Sequence, residues 1–140
     1  GVDLSAPMLE AARARGLYDE LVASDLVAYL KAADEPVDLI AATDVLIYLG
    51  NLAPLFAAVA SRLAMGGVFA FSTETPDDLI EGLSLQPNGR YAHSVRYIEH
   101  LAATNALRVI GRDAAIIRTE STVAVKGFLF MIEKPETSTP

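Results

Sequence analysis

Two segments near the end of the chain, Leu107 to about Arg118 and "TVAVKGFLFMIEK", are rich in β-forming apolar residues, and only a few residues around Glu120 to Thr122 separate them. A connection that short cannot hold a helical crossover, so the two strands must be antiparallel neighbours. Upstream the pattern differs. Short apolar runs alternate with stretches whose apolar residues recur three and four apart, the order of a parallel sheet with helical crossovers. The fold class that follows is α/β, a mostly parallel sheet closed by an antiparallel hairpin.

The chain opens on "GVDLSAPMLEAARARG". Val2 and Leu4 read as the end of a buried strand, Ser5 as the cap of a helix with Pro7 in its first turn, and Gly16 as its stop. "ELVAS" is a short strand, after which Asp25 caps the helix "LVAYLKAA". "VDLIAAT" lacks polar alternation, as expected of a central strand buried on both faces. In "NLAPLFAAVASRLAMGG", Leu52, Leu55, Phe56, Val59, Ala60 and Leu63 share a helical face, with Gly66 and Gly67 placed to end the helix before the strand "VFAFSTE". Residues 75–93 carry Pro76, Pro87, Asn88 and Gly89. The stretch is long enough to hold a short helix and to serve as a lid. Ser94 caps a helix running to about Ala106, with Ile98, Leu101 and Ala102 facing inward. Residues 1–134 are read as one partial domain, and 135–140, polar and terminal, as a disordered tail.

Composition narrows the partners. The 140 residues are 52% hydrophobic and 21% charged, enough for one core, and the formal charge of -7 with scattered Lys and Arg argues against nucleic acid. There is no Cys, which excludes disulfides and thiolate metal sites and fits a cytoplasmic protein. No apolar run reaches the roughly 18 residues of a membrane span.

Three loci at predicted strand ends, "GVDLS", "ASDL" and "ATDVLIYLG", together with the closing hairpin, resemble the C-terminal two thirds of a class I S-adenosylmethionine-dependent methyltransferase. "NGRYAHSVRYIEHLAATNAL" is similar, through Arg90, Tyr91, His93, Ser94 and Tyr97, to the methyltransferase domain of tetratricopeptide-repeat-linked members. One departure is Asn105 where relatives usually have Gly, and Asn tolerates the left-handed conformation a helix end needs. The resemblance implies a Rossmann-like sheet, S-adenosylmethionine as cofactor and a small-molecule methyl acceptor. It implies that Asp3, followed by Leu4, takes the ribose hydroxyls, that Asp25 receives the adenine amino group with Leu26 flanking the ring, and that Asp44 and Val45 lie near the methionine part and the acceptor. It also implies that the first strand and its Gly-rich loop lie outside this chain, which predicts weak cofactor binding and a homodimer through unpaired strand edges.

Each locus also has a simpler role. Asp3 can begin the turn into a helix, Asp25 can be an N-cap, and His93 can be an ordinary surface or capping residue. Methyl transfer from an activated sulfonium is an in-line displacement in which positioning supplies most of the barrier reduction. An acceptor that must lose a proton needs a base, and His93 or Tyr91 on the lid is the candidate, with Asp44 the alternative. Two rivals stand beside this reading. One is a non-catalytic fragment acting as a dimerising or interaction module. The other is a nicotinamide-dependent oxidoreductase, which the antiparallel hairpin argues against.

Overall fold

The computed structural model describes residues 1–136. These residues form two compact units, Gly1–Glu35 and a second beginning at Pro36. The expected tail falls largely on residues 137–140, outside the described residues.

In the first unit, β1 (Val2–Asp3) leads through the Ser5 N-cap into α1 (Ala6–Arg15), and Gly16 closes the helix at φ 62° with its N–H on the Arg13 carbonyl. That positive φ is the conformation for which Gly is favoured at a helix end. β2 is shorter than expected, Val22–Ala23, and pairs in parallel with β1. Asp25 then caps α2 (Leu26–Ala32).

The second unit is a four-stranded sheet in the order β3-β4-β8-β7, from β3 (Val37–Ala42), β4 (Leu63–Glu74), β7 (Arg108–Glu120) and β8 (Val123–Glu133). β3 and β4 run parallel, and β8 is antiparallel to both β4 and β7, so the closing hairpin forms as expected. Its turn, Ser121 and Thr122, has two residues at positive φ, 44° and 73°. That is the backbone twist two-residue hairpin loops demand. α3 (Ala53–Arg62) and α4 (Val95–Thr104) supply the buried residues Leu55, Phe56, Val59, Ile98, Leu101 and Ala102. Phe69 and Phe71 on β4 and Phe130 on β8 stack at 4.4 and 5.3 Å between centroids, and Phe56 of α3 meets Phe69 and Phe71 edge-on at 5.9 Å. No helix among the described residues is long and apolar enough to cross a membrane.

Four expectations need correction. β3 is buried on one face only: Ile40 and Ala42 are covered, but Leu39 is 61% exposed, because β3 ends this sheet and pairs with β4 alone. α3 stops at Arg62, and Gly66 and Gly67 lie inside β4, where a Cβ on Gly67 would stand 3.0 Å from the Val37 carbonyl oxygen. No helix forms in 75–93. β5 (Leu83–Leu85) and β6 (Tyr91–His93) make a hairpin instead, turned by Asn88 and Gly89, with Gly89 at φ 79°. Asn-Gly is a hairpin turn signal that the reading of this stretch passed over. Finally, the left-handed residue after α4 is Ala106 at φ 54°, whereas Asn105 has φ -106°.

One glycine controls the sheet junction. Gly127 on β8 faces Glu74 on β4, and a Cβ there would overlap the Thr73 carbonyl oxygen and come within 2.7 Å of Ile117 Cγ1. The neighbour is backbone and cannot swing away, so Gly127→Ala should lower the unfolding free energy by about 3 kcal/mol or more. Urea unfolding followed by circular dichroism measures this directly.

Candidate functional site

Open α/β sheets bind ligands outside the carboxyl ends of their strands. In the first unit the parallel register sets Asp3 beside Ala23, so Asp3, at the end of β1, and Asp25, just past β2, leave the ribbon at the same edge. Each carboxylate spends one contact on the backbone. Asp3 Oδ1 accepts from the Ser5 N–H at 2.7 Å, and Asp25 Oδ1 accepts from the Ala28 N–H at 2.9 Å. The turn and cap roles open in the sequence are therefore realised, and they orient both acids. Leu4, expected at the end of a buried strand, is instead 75% exposed, because β1 stops at Asp3, and Leu26 opens α2 half-buried.

In the second unit Asp44 lies in the turn after β3 at φ 57°, a left-handed conformation in which Asp is enriched among non-glycine residues. Its backbone N–H donates to Ser72 Oγ on β4 at 2.8 Å, and its Oδ1 accepts from Arg118 Nη1 of β7 at 2.8 Å. The same guanidinium donates to Glu74 through Nη2 and to Glu120 through Nε at 2.8 Å, and Glu120 also pairs with Arg90. The Arg118 and Glu74 side chains are 16% and 5% exposed, so this pair is largely withdrawn from water. Removing one partner would strand a charge. Val45 follows Asp44 and precedes a single 3-10 turn, Leu46–Tyr48. An acid after an apolar strand must be either solvated or paired, and Asp44 is both half-exposed and paired. Nothing in the spacing identified Arg118, 74 positions away, nor Ser72 or Glu120.

His93 and Tyr91, on β6, both contact Gly50. The His93 ring has no solvent exposure, and its Nε2 lies 2.9 Å from the Gly50 carbonyl oxygen. A carbonyl only accepts, so Nε2 carries the hydrogen and Nδ1 the lone pair. Nδ1 is buried without a partner. Burial pushes the His93 pKa down, against the smaller upward pull of the Gly50 and Leu49 carbonyls. The ring stacks on Tyr97 at 5.9 Å between centroids, and the Tyr97 hydroxyl accepts from the Leu52 N–H at 3.0 Å. The Tyr91 ring fills the space beside Gly50, where a Cβ would stand 2.9 Å from Tyr91 Cε1.

The loop between β5 and β6 lines a cavity of about 390 Å³ through Gln86 and Asn88, together with Glu74, Asp77 and Lys126. Lys126 pairs with Asp77 at its edge. Among the described residues no group of three His, Asp or Glu side chains is arranged to hold a metal ion.

Residues 1–71, which hold all three acids at strand ends, match the family model described as a methyltransferase domain. The chain belongs to the methyltransferase-domain family. It is 42% identical over 81 residues to a trans-aconitate 2-methyltransferase of Rhizobium rhizogenes, covering 58% of this chain and 30% of that protein. With the enzyme of the same name from Paracidovorax citrulli it shares 32% identity over 119 residues, 85% of this chain and 41% of that protein. The chain thus spans well under half the length of these relatives. In fold it matches the N-methyltransferase NodS of Bradyrhizobium japonicum, crystallised with S-adenosyl-l-homocysteine, at a TM-score of 0.71 and 20% identity, over 96% of this chain and 65% of that one. The mixed sheet with its closing hairpin is the Rossmann-like architecture of such methyltransferase domains.

Within this methyltransferase-domain fold the buried His93 makes stability depend on pH. Its folded pKa lies below its ordinary value, so its contribution is fully present above about pH 6.5 and is lost as pH falls through the folded pKa, because the unfolded chain takes up the proton first. In that window wild-type stability should fall by up to about 1.4 kcal/mol per pH unit more steeply than that of His93→Gln. Urea unfolding of both proteins between pH 7.5 and pH 5, on the order of six points each, measures the difference in slope.

Proposed function

We propose that this chain binds S-adenosylmethionine and supports transfer of its methyl group to a small-molecule acceptor. The observation that carries the reading is the placement of Asp3 and Asp25 at one edge of the parallel β1–β2 ribbon, each oriented by a backbone contact, within the stretch that matches the methyltransferase domain. The names of the Rhizobium and Paracidovorax relatives, and the S-adenosyl-l-homocysteine held by NodS, support the same assignment.

The proposed roles follow the chemistry of the side chains. The Asp3 carboxylate accepts from the two ribose hydroxyls with Leu4 beside it, and the Asp25 carboxylate accepts from the adenine amino group with Leu26 against the ring. Asp44 and Val45 serve the methionine end and the acceptor. The bound cofactor supplies an electrophilic methyl on a sulfonium, so the chain's own task is orientation and exclusion of water. An acceptor that is already anionic needs no base. For one that carries a proton, His93 and Tyr91 remain the assigned candidates, and the lone pair on His93 Nδ1 is the acceptor site that β6 offers.

Titration calorimetry of the protein with S-adenosylmethionine tests the assignment. Asp3→Ala removes charge-assisted hydrogen bonds worth roughly 1.5 to 3 kcal/mol each. It should raise the dissociation constant by about tenfold to a few hundredfold. Asp3→Asn should be milder, since it keeps one acceptor oxygen. Affinity within twofold of wild type, with the circular dichroism spectrum intact, would reduce Asp3 to a turn residue.

A further inference from the structure

We propose that Arg118 is a positioning residue that acts through Asp44, setting the direction of its carboxylate at the carboxyl end of β3. This rests on the assignment of Asp44 to the cofactor's methionine end.

Asp44 is held from two directions. Its backbone is fixed by the hydrogen bond to Ser72 Oγ and its side chain by Arg118 Nη1, each at 2.8 Å. Ser72 and Glu74 are both on β4, and both are buried. The guanidinium that reaches Asp44 is therefore anchored, through Glu74, on the strand that also holds the Asp44 backbone. Glu120, which Arg90 holds in turn, fixes its Nε edge. A guanidinium is a rigid planar fork, so seating two of its edges determines where the third points.

Stability does not account for the outer contact. The Asp44 side chain is 53% exposed, and a pair so open to water contributes about 0 to 1 kcal/mol. The left-handed backbone of Asp44 costs of order 1 kcal/mol or more. The arrangement spends strain on aiming one carboxylate outward from a buried base. Arg118 is also unsuited to serve as an anchor for an anionic ligand. Three carboxylates, Asp44, Glu74 and Glu120, already occupy it.

A double-mutant cycle on S-adenosylmethionine affinity in the protein is the test, with Arg118→Lys and Asp44→Asn. Lys keeps the charge but replaces the fork with a point donor. Each single variant should raise the dissociation constant about tenfold, and the double variant should bind no more weakly than the weaker single one, since both changes remove the same aimed carboxylate. Additive losses, near a hundredfold in the double variant, would overturn the proposal, as would wild-type affinity in Arg118→Lys. If Arg118→Lys loses its native circular dichroism, the cycle is run with Arg118→Met combined with Glu74→Gln, which removes the buried pair together and leaves no stranded charge. The expected non-additivity with Asp44→Asn is the same. A wild-type protein that binds no S-adenosylmethionine would sink the cofactor assignment and this proposal together, whereas a binding protein with an additive cycle would sink this proposal alone.

Discussion

Four phenylalanine rings hold the second unit in register. Phe69, Phe71 and Phe130 stack on one face of the sheet and Phe56 meets Phe69 and Phe71 edge-on from α3, none of the four more than 2% exposed. Aromatic contacts of this kind add about 0.5 to 1.5 kcal/mol per pair beyond the burial of their area. Their greater consequence is directional. Side chains alternate along a strand, so locking Phe69 and Phe71 toward the helices also fixes where Ser72 and Glu74 stand at the strand's end. A slip of one residue would invert the face and dissolve the Arg118 cluster.

The candidate residues, and the Glu74 that shares Arg118 with one of them, fall into two kinds. Asp3 and Asp25 are placed by local rules, a turn contact and a helix cap, and each is oriented by residues two or three positions away. Asp44, Glu74 and His93 are placed by long-range partners: Arg118 for the two acids, and the Gly50 carbonyl for the imidazole. The first kind tolerates change elsewhere in the fold. The second depends on partners 43 to 74 positions away being in place.

That division also explains what was legible in the sequence. The apolar periods of α3 and α4, the Ser5, Asp25 and Ser94 caps and the antiparallel pairing of β7 with β8 all follow from neighbouring residues, and the sequence reading of them holds. The hairpin of β5 and β6 is masked in the sequence by the length and proline content of residues 75–93, although Asn88-Gly89 is a hairpin turn signal. The one-sided burial of β3 was missed because an uninterrupted apolar run looks the same whether one face is covered or two. Arg118 was invisible for a different reason. A bulge shifts the β7 register between Ile116 and Arg118, and no count along the chain predicts which side chain the shifted strand delivers to Asp44.

The long closing hairpin has a consequence for the order in which the chain can mature. The cation that neutralises Glu74 and Asp44 lies 44 and 74 positions downstream of them. Synthesis proceeds from the N-terminus, so β3 and β4 leave the ribosome well before their charge partner. Until β7 arrives, Glu74 must stay hydrated, and a hydrated carboxylate at the end of β4 holds that strand's tip open. The buried Glu74–Arg118 pair therefore forms only after the first strand of the closing hairpin has been made.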